Sequence, residues 1–158
     1  MCYPPVSMDA HLSQTELDDL LAQARVERHE GQTSFTLELA YRVNCLFLVI
    51  KGKVLMPIIP DEFIATVRRL MTEGGGDGVA IDLRECTYFS SGAISFIVTV
   101  FRDAIDRGQQ VVIVEPPTKA RKIIEILGLN ACFLMVEDEA TAIAYLEAQR
   151  RARQQSAS

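Results

Sequence analysis

Along the first 24 residues apolar positions recur at helical spacing, and from Thr33 onward they come in short blocks of strand type. Leu17, Leu20, Leu21 and Ala24 fall at i, i+3, i+4 and i+7, which puts one apolar stripe on a helix. Ser13-Gln14-Thr15-Glu16 fits a capping box at its start, with Leu12 and Leu17 spaced as a hydrophobic staple, and Glu16, Asp18 and Asp19 make the opposite face acidic. Glu27 to Gln32 is polar and reads as a linker. Ser34 to Leu39 then alternates with period two, as a half-exposed strand does. Arg42-Val43-Asn44 offers a turn, and Cys45 to Lys51 is a continuous apolar run that suits a strand buried on both faces.

The remaining blocks alternate between helix and strand. A helix opens at Pro60-Asp61 and runs to about Thr72, with Phe63, Ile64, Val67, Leu70 and Met71 inward, and the glycine run 74–78 ends it. Val79 to Leu83 reads as a strand, about Ser91 to Arg107 as a helix, and Gln110 to Glu115 as a strand. Pro116-Pro117 leads into a helix that reaches Leu127, with Gly128 as its C′ residue. Cys132 to Val136 is a short last strand, and Asp138 can N-cap a final helix to about Ala148. Strand–helix–strand repeats at this spacing make right-handed crossovers. The predicted fold class is therefore α/β, a mixed, largely parallel sheet of four to five strands with about four helices packed on it. Strands 45–51, 79–83 and 110–115 are expected to be central.

Composition supports one domain. A chain of 158 residues buries roughly 70% of the surface it would expose unfolded, so it needs no staples. The acidity is spread: residues 1–32 carry two Arg against six acids, and 33–149 carry 11 bases against 15 acids. The one basic cluster is Arg150-Arg151-Ala152-Arg153. The division expected is an acidic extension over 1–32 (short amphipathic helix and linker), a main domain over 33–150 and a basic, polar tail over 151–158. A net charge of −5 argues against a nucleic-acid partner. The longest apolar run has six residues, Cys45 to Ile50, so no membrane span is expected, and Met1 to Ala10 lacks the features of a signal peptide.

The candidate chemistry is sparse. Cys2, Cys45, Cys86 and Cys132 lie 43, 41 and 46 residues apart, with no metal-type or redox-type pairing. Cys45, Cys86 and Cys132 sit in or beside apolar blocks and read as buried reduced thiols, which implies a cytoplasmic home. Both histidines, His11 and His29, precede the main domain, so it has no imidazole for base catalysis or metal binding. No cofactor and no metal site is expected. The glycine run 74–78 follows a helix and lacks the ending of a P-loop. Ser90 and Ser91 have no Gly-x-Ser-x-Gly frame and no histidine after them, against a serine hydrolase and against an enzyme in general.

The informative segment is Thr87-Tyr88-Phe89-Ser90-Ser91-Gly92. It follows a buried strand and opens a helix, where open α/β sheets place their functional crevice. Free N–H groups and the positive helix end there favour an anion, and Gly92 permits close approach. On the residues alone a plain N-cap serine, worth about 1 kcal/mol, accounts for Ser90 or Ser91 better than a functional role does. The next helix is apolar on most faces (Ile94, Phe96, Ile97, Val98, Val100, Phe101, Ile105), as core packing or a buried partner face requires.

Four features together resemble the STAS domain family, which includes the anti-sigma factor antagonists. They are the element order, Gly52 after the second strand, Ser90-Ser91-Gly92 opening an apolar helix, and Ile126-Leu127-Gly128-Leu129 before the last strand. The resemblance covers about Thr33 to Ala148. It implies a bacterial STAS-like regulatory protein that works by binding a serine kinase-like anti-sigma factor. Ser91 takes the phosphoacceptor position, and Phe89, Ser90, Ser91 and Gly92 the partner-binding loop. Phosphorylation would add about −1.5 to −2 charges to that surface. The family's acidic residue before the serines is Phe89 here, and its aspartate in Gly-x-x-Asp is Leu55 in Gly52-Lys53-Val54-Leu55. Leu12 to Leu21 is also similar to the amino-terminal peptide of the flagellar switch protein FliM. That implies a CheY-like receiver as an alternative partner, bound by Leu17, Leu20 and Leu21, while the same leucine stripe equally suits a helix folded back onto its own domain. A further alternative is a nucleotide- or anion-binding STAS module that uses the helix start at Ser91.

Overall fold

The computed structural model describes residues 12–30, 33–54, 61–73, 78–106, 109–116, 118–128 and 133–156. The expectations for the 55–60 loop with Leu55, glycines 74–76 and Cys132 lie outside them. The elements run α1 (Gln14–Gln23), β1 (Val26–Glu30), β2 (Thr33–Arg42), β3 (Cys45–Val54), α2 (Asp61–Glu73), β4 (Gly78–Asp82), β5 (Cys86–Phe89) and α3 (Ser91–Asp106). They continue with β6 (Gln110–Val114), α4 (Thr118–Ile126), β7 (Leu134–Val136) and α5 (Glu139–Ser156). One seven-stranded sheet has the order β1-β2-β3-β4-β6-β7, with β5 also paired to β3. The β1–β2 and β2–β3 pairs are antiparallel and the others parallel. No helix of the described residues is long and apolar enough to cross a membrane.

Alternation along β3 explains why Cys45 to Ile50 is apolar throughout. Leu46, Leu48 and Ile50 join Phe63, Val67 and Leu70 of α2 and Ile94 and Ile97 of α3 in the main core. Cys45, Phe47 and Val49 face the other way, into a second core closed by Ala142 and Leu146 of α5. A strand covered on both faces has no polar side to show, so the period-two signal vanishes. β2 keeps it: Phe35, Leu37 and Leu39 are buried, while Glu38 meets Arg25 and Lys51 at the surface.

The sheet exceeds the four to five strands expected because two strands carry weak signals. β1 is Val26-Glu27-Arg28-His29-Glu30, an edge strand in which Val26 is buried and Glu27, Arg28 and His29 are exposed. Its polarity imitates a linker. β5 has four residues and hides in the connection between β4 and α3. The boundary expected at residue 32 is crossed, because β1 pairs with β2 and α1 lays Leu17, Leu20 and Leu21 on the main core. The capping box forms, with Glu16 N–H donating to Ser13 Oγ at 3.2 Å and Ser13 N–H to Glu16 Oε2 at 2.9 Å. The expected tail is also helical: α5 continues to Ser156. Arg and Gln are good helix formers, and cations near the C-terminus suit the helix dipole.

Two backbone positions shape the meander. Val43 turns β2 into β3 at φ 59°, rare for a β-branched residue, and its side chain is 66% exposed. Gly52 has φ 92° and lies where β3 leaves β4 and takes up β5, its N–H donating to the Glu85 carbonyl at 3.0 Å. A Cβ there would collide with the Ser34 carbonyl oxygen, a backbone atom that β2 holds in place. Gly52→Ala is therefore expected to lower stability by about 2–3 kcal/mol, read as a shift of the urea midpoint at unchanged slope.

Candidate partner-binding site

The serine loop owes its position to a hand-over along β3. The first half of β3 pairs with β4, Cys45 to Val49 opposite Gly78 to Asp82. Its last residues pair with β5, in the register Gly52–Cys86, Lys53–Tyr88 and Val54–Phe89. The turn at Arg84–Glu85 shifts the chain from the end of β4 into line with β3. β5 then delivers Ser90 to the carboxyl edge of the sheet. The Ser90 carbonyl accepts the first helical bond of α3, from Ile94 N–H at 3.1 Å, so Ser90 is the N-cap residue and Ser91 and Gly92 begin the helix. The side chains of Phe89 and Ser91 lie outside the described residues.

The turn that sets this geometry is held by charge. Asp82 is 4% exposed at the end of an otherwise apolar strand. Its Oδ1 accepts from Arg84 backbone N–H and Nε, both at 3.0 Å, and its Oδ2 from Arg84 Nη2 at 2.7 Å. Arg42 lies 3.6 Å away, and both guanidinium groups reach Glu139 in the first turn of α5, at 2.9 Å from Arg42 and 3.3 Å from Arg84. Burial alone would push the Asp82 carboxyl up. The hydrogen bonds from Arg84 and the charges of Arg84 and Arg42 outweigh that and hold it below the usual carboxylate range. Cys86 opens β5 as an inert thiol: burial pushes it up to about 11, and its Sγ donates to the Tyr88 carbonyl at 3.3 Å.

Sequence reasoning passed over the cations of the loop. Lys53 Nζ stands 5.8 Å from the centroid of the Tyr88 ring, and Lys119 Nζ, from the first turn of α4, stands 5.7 Å from the same ring. Two lysines 66 positions apart give no sequence signal of meeting on one tyrosine. The β5–β3 register and the approach of α4 to β5 bring them together. An aspartate closing a buried strand two residues before an arginine was the available signal for the Asp82 cluster. Leu17, Leu20 and Leu21, the residues named for a receiver, are half-buried against the domain's own core. With Gln14, Asp18, Tyr41, Val43 and Asn44, Leu17 and Leu21 line a groove of about 250 Å³ beside the β2–β3 turn. That groove and the serine loop lie at opposite ends of β3, a strand about 30 Å long.

A family model described as Mlab, STAS domain, matches residues 42–137, from the end of β2 through β7. The chain belongs to the STAS domain family. Among solved structures it is similar to the anti-sigma factor antagonist SpoIIAA in its unphosphorylated form. The identity is 13%, the match covers 71% of this chain and 96% of that one, and the TM-score is 0.60. The phosphorylated form of SpoIIAA, the Bacillus cell-fate determinant, gives 13% identity over 70% of this chain and 98% of that one, with a TM-score of 0.53. An anti-sigma factor antagonist from Mycobacterium paratuberculosis gives 15% identity over 72% and 94%, with a TM-score of 0.51. At such identities the likeness is one of fold. No curated protein matches the chain in sequence.

Because its folded carboxyl is held low, Asp82 contributes stability in full above about pH 4, the ordinary aspartate value, and loses it as pH falls through the lower folded one. Asp82→Asn is expected to flatten the acid limb of stability against pH. At pH 7 Asp82→Ala is expected to cost about 2–3 kcal/mol by urea unfolding. That is less than for a fully buried pair, since the Arg42 and Arg84 side chains are each 35% exposed.

Proposed function

We propose that this STAS protein is an anti-sigma factor antagonist-like regulator. It binds a serine kinase-type anti-sigma partner through Ser90, Ser91 and Gly92 and the adjoining face of α3, and phosphorylation of Ser91 switches the binding off. It works by docking and not by catalysis. The reading rests on one observation above all: β5 extends the sheet beside the end of β3 and presents the Ser-Ser-Gly segment as the cap and first turn of α3. Ser91 follows the N-cap directly, in the turn whose backbone N–H groups lack helical partners. A phosphate there is favoured by its own helix, so the modified state is stable in the free protein. The penalty falls on the complex, where the added charge meets a surface shaped for a hydroxyl. A desolvated mismatch of this kind costs about 2–5 kcal/mol, or roughly 30- to 4,000-fold in affinity. The same reading makes the protein cytoplasmic, in keeping with Cys45 and Cys86 as buried free thiols.

Protein isolated from its own cells is expected to carry a fraction about 80 Da heavier, mapped to Ser91 and absent from Ser91→Ala. Ser91→Asp is expected to weaken capture of the kinase-type partner at least about 30-fold, with Ser91→Ala binding as wild type. An unmodified Ser91 in every growth phase, with equal binding by Ser91→Asp, overturns the switch.

A further inference from the structure

Three elements bring their side chains together just ahead of the serine loop. Lys53 is the last residue but one of β3, Tyr88 lies in β5 and Lys119 in the first turn of α4. Both ammonium groups stand within 6 Å of the Tyr88 ring centroid. Each lysine is exposed and the tyrosine is half-buried. Among the described residues neither cation has a carboxylate partner, whereas Lys51, two positions before Lys53, reaches Glu38 at 3.9 Å and Glu85 at 3.4 Å. The π face of Tyr88 offsets part of the repulsion between the two ammonium groups without neutralising them. In a chain of net charge −5, the edge that carries the loop thus holds two uncompensated positive charges around an aromatic ring.

That arrangement selects a class of partner. A long polyanion is disfavoured by the acidity of the whole chain. A small phosphorylated ligand wants buried donors converging on it, yet among the described residues Asp82 is the buried polar side chain, and it is bound to Arg84. A protein surface that sets carboxylates around an apolar centre matches two outer cations and a half-buried ring. We propose that Lys53, Tyr88 and Lys119 form the electrostatic part of the docking surface, and that the partner meets them with an aspartate- and glutamate-rich patch. This inference rests on the docking role proposed for the loop and adds the sign of the partner's charge to it.

The test uses the full-length ¹⁵N-labelled protein titrated with a hexaglutamate peptide, with inorganic phosphate at matched ionic strength in parallel. Saturable shifts at the amides of Lys53, Tyr88 and Lys119 are expected with hexaglutamate, weakening at least about threefold as salt rises from 0.05 to 0.5 M. The Lys53→Glu, Lys119→Glu double variant is expected to lose them with its other resonances in place, while Lys122→Glu, on the same helix, keeps them. Equal saturable shifts with phosphate would assign the site to a small anion and overturn the proposal. So would hexaglutamate shifts that are scattered or that survive in the double variant. The titration needs no kinase partner, so it separates from the Ser91 experiments: an unmodified Ser91 leaves it intact, and its failure leaves the serine switch standing.

Discussion

Everything in this fold is arranged around β3. One edge carries the antiparallel β2, and the other carries β4 along its first half and β5 beyond Gly52. Helices cover both faces, so a ten-residue strand ties two cores to two kinds of pairing. The demand this makes on sequence is severe: apolar side chains in both directions, then a residue able to take φ 92° against the Ser34 carbonyl where the partner strand changes. Without that change β5 would have no strand to extend, and the serine loop would have no fixed place at the carboxyl edge.

The charged cluster solves the complementary problem. A chain leaving β4 must step sideways into the line of β5, and hydrogen bonds around a two-residue turn do not by themselves choose one route. Asp82 chooses it by binding both the backbone and the guanidinium of Arg84. Glu139 then couples that turn to the start of α5, and Arg42 couples it to the end of β2. The carboxyl edge is thereby referenced to elements on three sides. Here the same electrostatic contacts that stabilise the fold also tie the turn to its neighbours.

How much of this was legible depended on whether neighbours in the chain or neighbours in space carried the signal. The helices α2, α3 and α4 and the strands β2, β3, β4 and β6 announce themselves, since each has a full apolar face or pair of faces. Gly128 as the residue beyond α4, at φ 72°, was equally readable, because the requirement for a left-handed residue is local. β1 was not, since an edge strand with one buried residue has the composition of a loop. β5 was not, since it has four residues and, among its described side chains, one that is buried, too little for a periodic signal. The Ser90–Gly92 segment could be placed at a helix start from its own residues. Its cationic surroundings could not, because Lys53 and Lys119 acquire meaning only when the sheet register and α4 set both on Tyr88.

The way α1 is attached has a dynamic consequence. Its cap is complete, yet none of its ten residues is fully buried, and its leucines rest on the core without entering it. Lifting it away would break no strand pairing and would leave β2 to α5 as they are. An element attached in this way is expected to open at a lower free energy than the sheet and to exchange its amides first, at the far end of β3 from the serine loop. The molecule thus has two grades of permanence: a sheet locked from both faces, and a clasp that can loosen while the carboxyl edge stays folded.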